Sequence, residues 1–355
     1  MIIHVALSIQ EASEFDIDRM RVFTDVIIQI HRTGTHRLIV ERDVIDWMIQ
    51  YLGLNDTQIK TMRRLSHDYT SWATITAKIS RYIKINSGTA PLEVALNGFT
   101  VGVNTFLAFH NLRQSTKIVI ENSGSDGAAF KFLIENAFKR LGFQSARYEL
   151  VDGGGDNLPR VCRELLQAGY AVIAIIDSDR RFVGDRGAEK VSSSELLFSE
   201  FANWPSELVV LTCREIENII PYATVASLNG IPADSIDALR EIEASEKSSG
   251  IDMGERYKQF FDYRDGARPV QQDSERHISE YAYAEAKHQI VLRSLTTNPI
   301  AGFGNNIGSR VFGTSEGLAS LHKELRNCPY FEEFHGPCID RIAHWVIGGE
   351  RRNGF

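Results

Sequence analysis

Between residues 113 and 222, short apolar runs alternate with amphipathic stretches of helical length. That rhythm constrains the fold more than any other feature of the chain. "TKIVIEN" reads as a strand, followed by the helical pattern "AAFKFLIENAFKRLGF" with its glycine stop. "SARYELVDGGG" and "NLPRVCRELLQAGY" repeat the unit, and "YAVIAIIDSD" is a third strand, apolar almost throughout. The helical stretch "SSSELLFSEFANW" then leads to a fourth strand, "SELVVLTC". Strands separated by helices pair in parallel through right-handed crossovers and are covered on both faces. The expected fold over 113–222 is therefore α/β: a Rossmann-like parallel sheet sandwiched by helices.

The flanks have another texture. Residues 1–112 are expected to form a mostly helical N-terminal domain, with a short strand only at the start. "DVIDWMIQYLGL" puts Val44, Trp47, Met48 and Leu52 on one helical stripe, and "TDVIIQIHRTG" ends on a glycine. Residues 223–355 are expected to form a helical C-terminal region, from patterns such as "DSIDALREIEASEK", "YAYAEAKHQIVLRSL" and "CIDRIAHWVIGG".

Composition narrows the function classes. Four irregularly spaced cysteines suit reduced core thiols rather than a disulfide frame, and no apolar run approaches bilayer length. A cytoplasmic protein without a membrane partner is expected. The set Cys328, His335, Cys338 and His344 has no common zinc-site spacing, and core packing is its ordinary use. With a formal net charge of -7, the chain is not drawn to polyanions by bulk charge. Residues 57–92 run against this balance: Lys60, Arg63, Arg64, Lys78, Arg81 and Lys84 face one acid, Asp68, with Tyr69, Trp72 and Tyr82 interleaved. Such a segment either tracks phosphates or is a solvated helix face. As a nucleic-acid surface, it makes Arg63, Arg64, Lys78, Arg81 and Lys84 the binding residues, with Trp72 in the core.

Acids stand where the strands of 113–222 end. Glu121 closes the first, with Asp126 one loop beyond; Asp177 and Asp179 close the third; Glu215 and Glu217 follow the fourth. In an open parallel sheet the carboxyl ends of the strands share one edge, where ligands bind. Carboxylates gathered there repel unless cations neutralise them, and oxygen-only ligands suit Mg²⁺ or Mn²⁺. Singly, each acid is as well explained as a helix cap or turn former. Gly153, Gly154 and Gly155 after the second strand either let backbone approach a phosphate or form a left-handed turn.

The order of Glu121 and Asp126, the glycine-rich turn, Asp177-Ser178-Asp179 and Glu215-Ile216-Glu217-Asn218 resembles a TOPRIM domain, most of all the TOPRIM nucleases of the OLD family and related antiphage proteins. The resemblance spans about residues 113–222. It departs from the OLD pattern at Asn122, where glycine is usual, and in placing Asp126 five positions after Glu121. It implies one or two Mg²⁺ or Mn²⁺ ions on Glu121, Asp126, Asp177, Asp179, Glu215 and Glu217. Glu121, Asp177 and Asp179 are then catalytic, and Lys258 or Arg264 supplies the phosphate-stabilising cation of the family. No G-x-x-x-x-G-K-[ST] motif is present, so no nucleotide cofactor is expected on this chain. An ATPase or sensor would be a separate protein, and a homo-oligomer is compatible with the pattern.

The function these readings lead to is a metal-dependent nuclease, an endonuclease acting on DNA or RNA, as the effector of a bacterial antiphage system. Two rivals stand beside it. A nucleotide-sugar glycosyltransferase also places D-x-D after an apolar strand but does not require Glu121. A degenerate TOPRIM scaffold or nucleic-acid sensor retains the fold without catalysis.

Overall fold

The computed structural model describes residues 1–349 except 73, 74, 76–78, 80, 89–92, 96, 97, 125, 182, 183, 267–299 and 327–334. Lys78, Cys328 and the helical pattern at 281–295 therefore lie outside the described residues. No helix among those described is long and apolar enough to cross a membrane.

The expected sheet is present. Strands β6 (Thr116–Ile120), β7 (Tyr148–Asp152), β8 (Val172–Ile176) and β9 (Ser206–Val210) pair in the order β7-β6-β8-β9, all parallel. Helices α6 (Gly127–Leu141), α7 (Leu158–Gln167) and α8 (Glu189–Glu200) make the crossovers. All five residues of β6 and of β8 are buried, because both are interior strands covered on both faces. Their side chains still alternate. Val119, Val172, Ala174 and Ile176 pack with Leu158, Cys162 and Leu166 of α7 and with Val191, Leu197 and Phe198 of α8. Ile118, Ile120, Ile173 and Ile175 join the larger cluster that holds Phe130, Leu133, Ile134 and Ala137 of α6. α6 ends where the sequence places its stop, with Gly142 at φ 73°.

Chain order reverses between β6 and β8: the chain steps from β6 out to β7, then crosses back to β8 on the other side. Such a switch point, at the carboxyl ends of those two strands, is where doubly wound sheets bind ligands.

The N-terminal expectation needs correction. Residues 1–112 are not mostly helical but carry a sheet of their own, the first in chain order: β1 (Ile2–Val5), β2 (Arg37–Val40), β3 (Tyr82–Asn86), β4 (Glu93–Ala95) and β5 (Gly98–Gly102). Their order is β2-β1-β3-β5-β4, parallel except for β4. Helices α1 (Ile9–Ser13), α2 (Ile17–Thr33), α3 (Arg42–Tyr51), α4 (Asp56–Trp72) and α5 (Val103–Ala108) accompany it. The α2 and α3 stripes were legible, and Val44, Met48 and Leu52 are buried as expected. The strand at the start is β1; the other four were hidden because they are three to five residues each, too short to show a period beside strong helical patterns. In the C-terminal region, α9 (Tyr222–Ala226), α10 (Ala233–Ser248) and helices over Ile307–Phe312, Ser315–Leu325 and Gly336–Trp345 agree with the helical expectation.

Candidate functional site

The strand-end acids converge. Asp177 has its carboxyl pushed well above the usual range, first by burial and then by the negative charges of Glu121, Glu217, Asp126 and Glu215. Five of the six expected acids thus share one electrostatic neighbourhood at the switch point. The sixth, Asp179, adds to the repulsion on Glu121.

Each acid is held by local structure. Glu121 follows β6 directly; its Oε1 accepts the Asp177 N–H at 3.0 Å, and its Oε2 lies 2.7 Å from Lys190 Nζ. Burial raises its pKa, with Lys190 and the Asp177 N–H opposing that rise. Asp126 sits at the head of α6, its N–H donating to Asn122 O at 2.9 Å. Asp179 has φ 50°, the one left-handed residue other than glycine among those described. Aspartate tolerates that region better than most residues, yet such backbone persists only where the surroundings fix it.

Here the loop after β9 fixes it. Asp179 N donates to Arg214 O at 3.0 Å, buried Ser178 Oγ to Cys213 O at 2.8 Å, and Arg180 Nη2 to Thr212 O at 2.8 Å. The D-x-D and E-x-E loops are therefore bonded to each other, and the acids of β8 and β9 cannot move apart independently. On the other side of the D-x-D loop, a Cβ on Gly187 would lie 2.2 Å from Ser178 O, so only glycine permits that approach.

The E-I-E-N segment is equally tied down. Glu215 N donates to Asn218 Oδ1 at 2.8 Å, and buried Asn218 Nδ2 donates to the carbonyls of Lys258 and Phe261, both at 2.8 Å. Asn218 is thus a brace for the segment that carries Glu215 and Glu217. Burial, and next the charge of Asp262, push Glu215 up to about 7; burial also raises Glu217.

That shift has a sign. A carboxylate whose pKa is higher folded than unfolded binds more protons in the native state, so stability falls as pH rises between the two values. For Glu215 the window runs from about 4.5 to about 7, and full ionisation costs on the order of 3 kcal/mol. Glu215→Gln should remove that dependence. In EDTA, its urea midpoint should exceed wild type at pH 8 and converge on it at pH 4.5. Equal midpoints at pH 8 would mean that Glu215 ionises without cost.

Of the two proposed phosphate cations, Lys258 is misplaced for the role. It is buried, donates from Nζ to Ile220 O at 2.9 Å and lies over the Tyr222 ring. Arg264 is the better candidate. It is exposed, and its charge lowers the pKa of both Glu215 and Glu217. Buried Asp262 sets its place by accepting the N–H groups of Arg264 and Asp265 at 3.0 and 2.7 Å while pairing with Arg214 at 2.8 Å.

The glycine turn is also corrected. Gly153 N donates to Ile120 O at 2.7 Å, Gly154 N to Asp152 Oδ1 at 2.8 Å and Gly155 N to Glu121 O at 3.0 Å. All three N–H groups are engaged, so this turn is no phosphate cradle. It is a clasp: Gly153 lies so close to β6 that a Cβ would sit 2.8 Å from Ile120 O.

The basic segment divides. Lys60, Arg63 and Arg64 are exposed on α4, and Lys84 is exposed on β3. Arg81 instead reaches Glu207 at 2.9 and 3.2 Å, which makes it a structural residue. Trp72 packs on Phe143 under the Arg37 guanidinium, as a core residue. His335 and His344 are buried, and burial lowers the pKa of each.

Sequence reading missed Lys190, whose Nζ lies 2.7 Å from Glu121 Oε2 and 2.5 Å from Asp179 Oδ2. The available signal was its place in the first turn of α8, where the helix dipole disfavours a cation unless acids face it. As the side chains stand, no three His, Cys, Asp or Glu residues among those described are grouped to hold a metal ion. The donor chemistry nevertheless fits a hard divalent cation, since every converging group is a carboxylate and their mutual repulsion is only partly offset. No protein-family model, curated protein or solved structure matches the chain.

Proposed function

We propose that the chain is a divalent-metal-dependent nuclease whose active centre lies at the carboxyl ends of β6 and β8. The observation that supports this reading best is the convergence of Glu121, Asp126, Glu215 and Glu217 on Asp177 at the sheet's switch point. A neutral ligand gives no reason to gather acids at such repulsion, whereas Mg²⁺ or Mn²⁺ does. Glu121, Asp177 and Asp179 would hold a first ion, and Asp126, Glu215 and Glu217 a second. Ions bound there make water a better nucleophile and neutralise a phosphodiester.

The chain's own residues complete the site. The bonded D-x-D and E-x-E loops keep the acids in one frame. Arg264, exposed and 3.6 Å from Asp265, would meet a non-bridging phosphate oxygen. Lys60, Arg63 and Arg64 offer positive charge to phosphates farther along a nucleic acid. With no nucleotide-binding loop in the sequence, control would come from a separate ATPase or sensor protein, in keeping with the resemblance to antiphage TOPRIM nucleases.

One observation favours a second reading, a scaffold or sensor without catalysis: Lys190 already pairs with two of the acids. Incubating the purified protein with plasmid, single-stranded DNA and total RNA separates the two. Cleavage of at least one substrate with Mg²⁺ or Mn²⁺, and none in EDTA, is expected. Cleavage undiminished by EDTA would overturn the proposal, and absence of cleavage with either metal would leave the scaffold.

A further inference from the structure

We propose that Lys190 is a resident cation of this site, and that a divalent ion binds by displacing its ammonium from Glu121 and Asp179. The inference rests on the metal-dependent reading above and deepens it. Lys190 Nζ stands 2.7 Å from one carboxylate and 2.5 Å from the other, joining the ends of β6 and β8 across the switch point. Its side chain is 14% exposed, so the pair is shielded from salt and water far more than a surface bridge.

The surrounding chain delivers the lysine there. Asp185 accepts the N–H groups of Arg181 and Gly187 at 3.1 and 3.3 Å, just ahead of α8. Gly187 then presses on Ser178 O, and buried Val191 anchors the first turn of α8. Lys190 lies between these two fixed points.

Two facts make the ammonium displaceable rather than a permanent brace. First, it stands in the first turn of α8, where the helix dipole repels a cation, so its place there depends on the acids around it, Glu121 and Asp179 in direct contact and Glu189 beside it in the turn. Second, a divalent ion on Glu121 and Asp179 brings twice the charge to the same oxygens, and its repulsion adds to that of the dipole. The same arrangement accounts for the absence of a ready three-carboxylate group among the described residues: Lys190 draws Glu121 and Asp179 toward itself. Metal-free protein thereby has Glu121 and Asp179 paired with Lys190, and the freed ammonium would be left beside the position of a bound phosphate.

Full-length protein is to be titrated with Mn²⁺ by calorimetry as wild type, Lys190→Met and Lys190→Arg. Methionine keeps the length of the side chain and removes the competing charge, so Mn²⁺ should bind at least about tenfold tighter; arginine should stay near wild type. In a second measurement on unmutated protein, Lys190 should be shielded from an amine-reactive label in EDTA and become reactive in saturating Mn²⁺. Unchanged or weaker Mn²⁺ binding by Lys190→Met overturns the exchange, as does labelling that Mn²⁺ does not alter. If wild type still cleaves nucleic acid with Mn²⁺ in those cases, the nuclease reading stands without the exchange. Failure of both wild type and Lys190→Met to bind Mn²⁺ removes the two together.

Discussion

Asp177→Asn is expected to abolish metal-dependent cleavage, by about a thousandfold or more, while making metal-free protein more stable than wild type. Both effects come from one carboxylate. Asp177 lies at the end of the fully buried β8, and its charge is opposed by burial and by Glu121, Glu217, Asp126 and Glu215. Asparagine has nearly the same shape and keeps the backbone N–H that Glu121 accepts at 3.0 Å, so the D-x-D loop should hold its form. It does remove a full negative charge from the point where the acids converge. Catalysis should suffer because the central oxygen donor is lost. Stability should rise because an ionised, mutually repelling group is gone. The pH signature follows: wild-type stability should fall as pH rises from about 4, the ordinary range of an aspartate, toward the raised value of Asp177, and the variant should fall less, keeping the part that Glu215 and Glu217 contribute. Single-turnover cleavage in Mn²⁺ and urea denaturation in EDTA measure the two effects. Retained cleavage would sink the proposed mechanism. Lost cleavage with lower stability would point to a structural aspartate instead.

The second sheet was legible in the sequence because β6 and β8 are covered on both faces and announce themselves as unbroken apolar runs. The acids at their ends were legible for a related reason: strand order places every carboxyl end on one edge, whatever the packing details. What could not be read was the destination of hydrogen bonds and ion pairs. The three N–H groups of Gly153–Gly155 look available in "DGGGD", yet the close approach of the turn to β6 and Asp152 engages all of them. Lys258 and Arg264 are equivalent cations on paper. Only the fold buries one against Ile220 O and leaves the other exposed. Lys190 was overlooked because its partners lie 69 and 11 positions away in sequence, and nothing local marks a lysine as internal. In the N-terminal region, the strands after β1 are only three to five residues long and, beside long amphipathic helices, gave no period to detect.

Glu207→Ala should be the most destabilising single change outside the apolar core, by about 3–5 kcal/mol. Glu207 lies on β9, with 9% of its side chain exposed, and three chain regions meet on its carboxylate. Arg81, just ahead of β3 in the first sheet, donates to both oxygens at 2.9 and 3.2 Å. Arg341 Nε lies at 2.9 Å, and the indole N–H of Trp345 donates at 2.5 Å. Trp345 is itself fully buried against Phe99 of β5, while its carbonyl accepts from Thr116 at the start of β6. One carboxylate thus joins the first sheet, the second sheet and the C-terminal helix. Alanine would take this acceptor from the partly exposed guanidinium groups of Arg81 and Arg341 and leave the buried indole donor of Trp345 without it, and a buried donor costs more unsatisfied than it gained when bonded. Glu207→Gln should lose less, since an amide oxygen can still accept from Trp345. The measurement is a lower urea midpoint with an unchanged slope, which separates lost stability from a changed unfolding transition. A loss below about 1 kcal/mol, the range of exposed ion pairs, would show that the clasp does not hold the sheets together. Because Glu207 lies at the start of β9, opposite the acidic edge, its folded fraction should still bind Mn²⁺ like wild type. Asp177→Asn should show the reverse pattern.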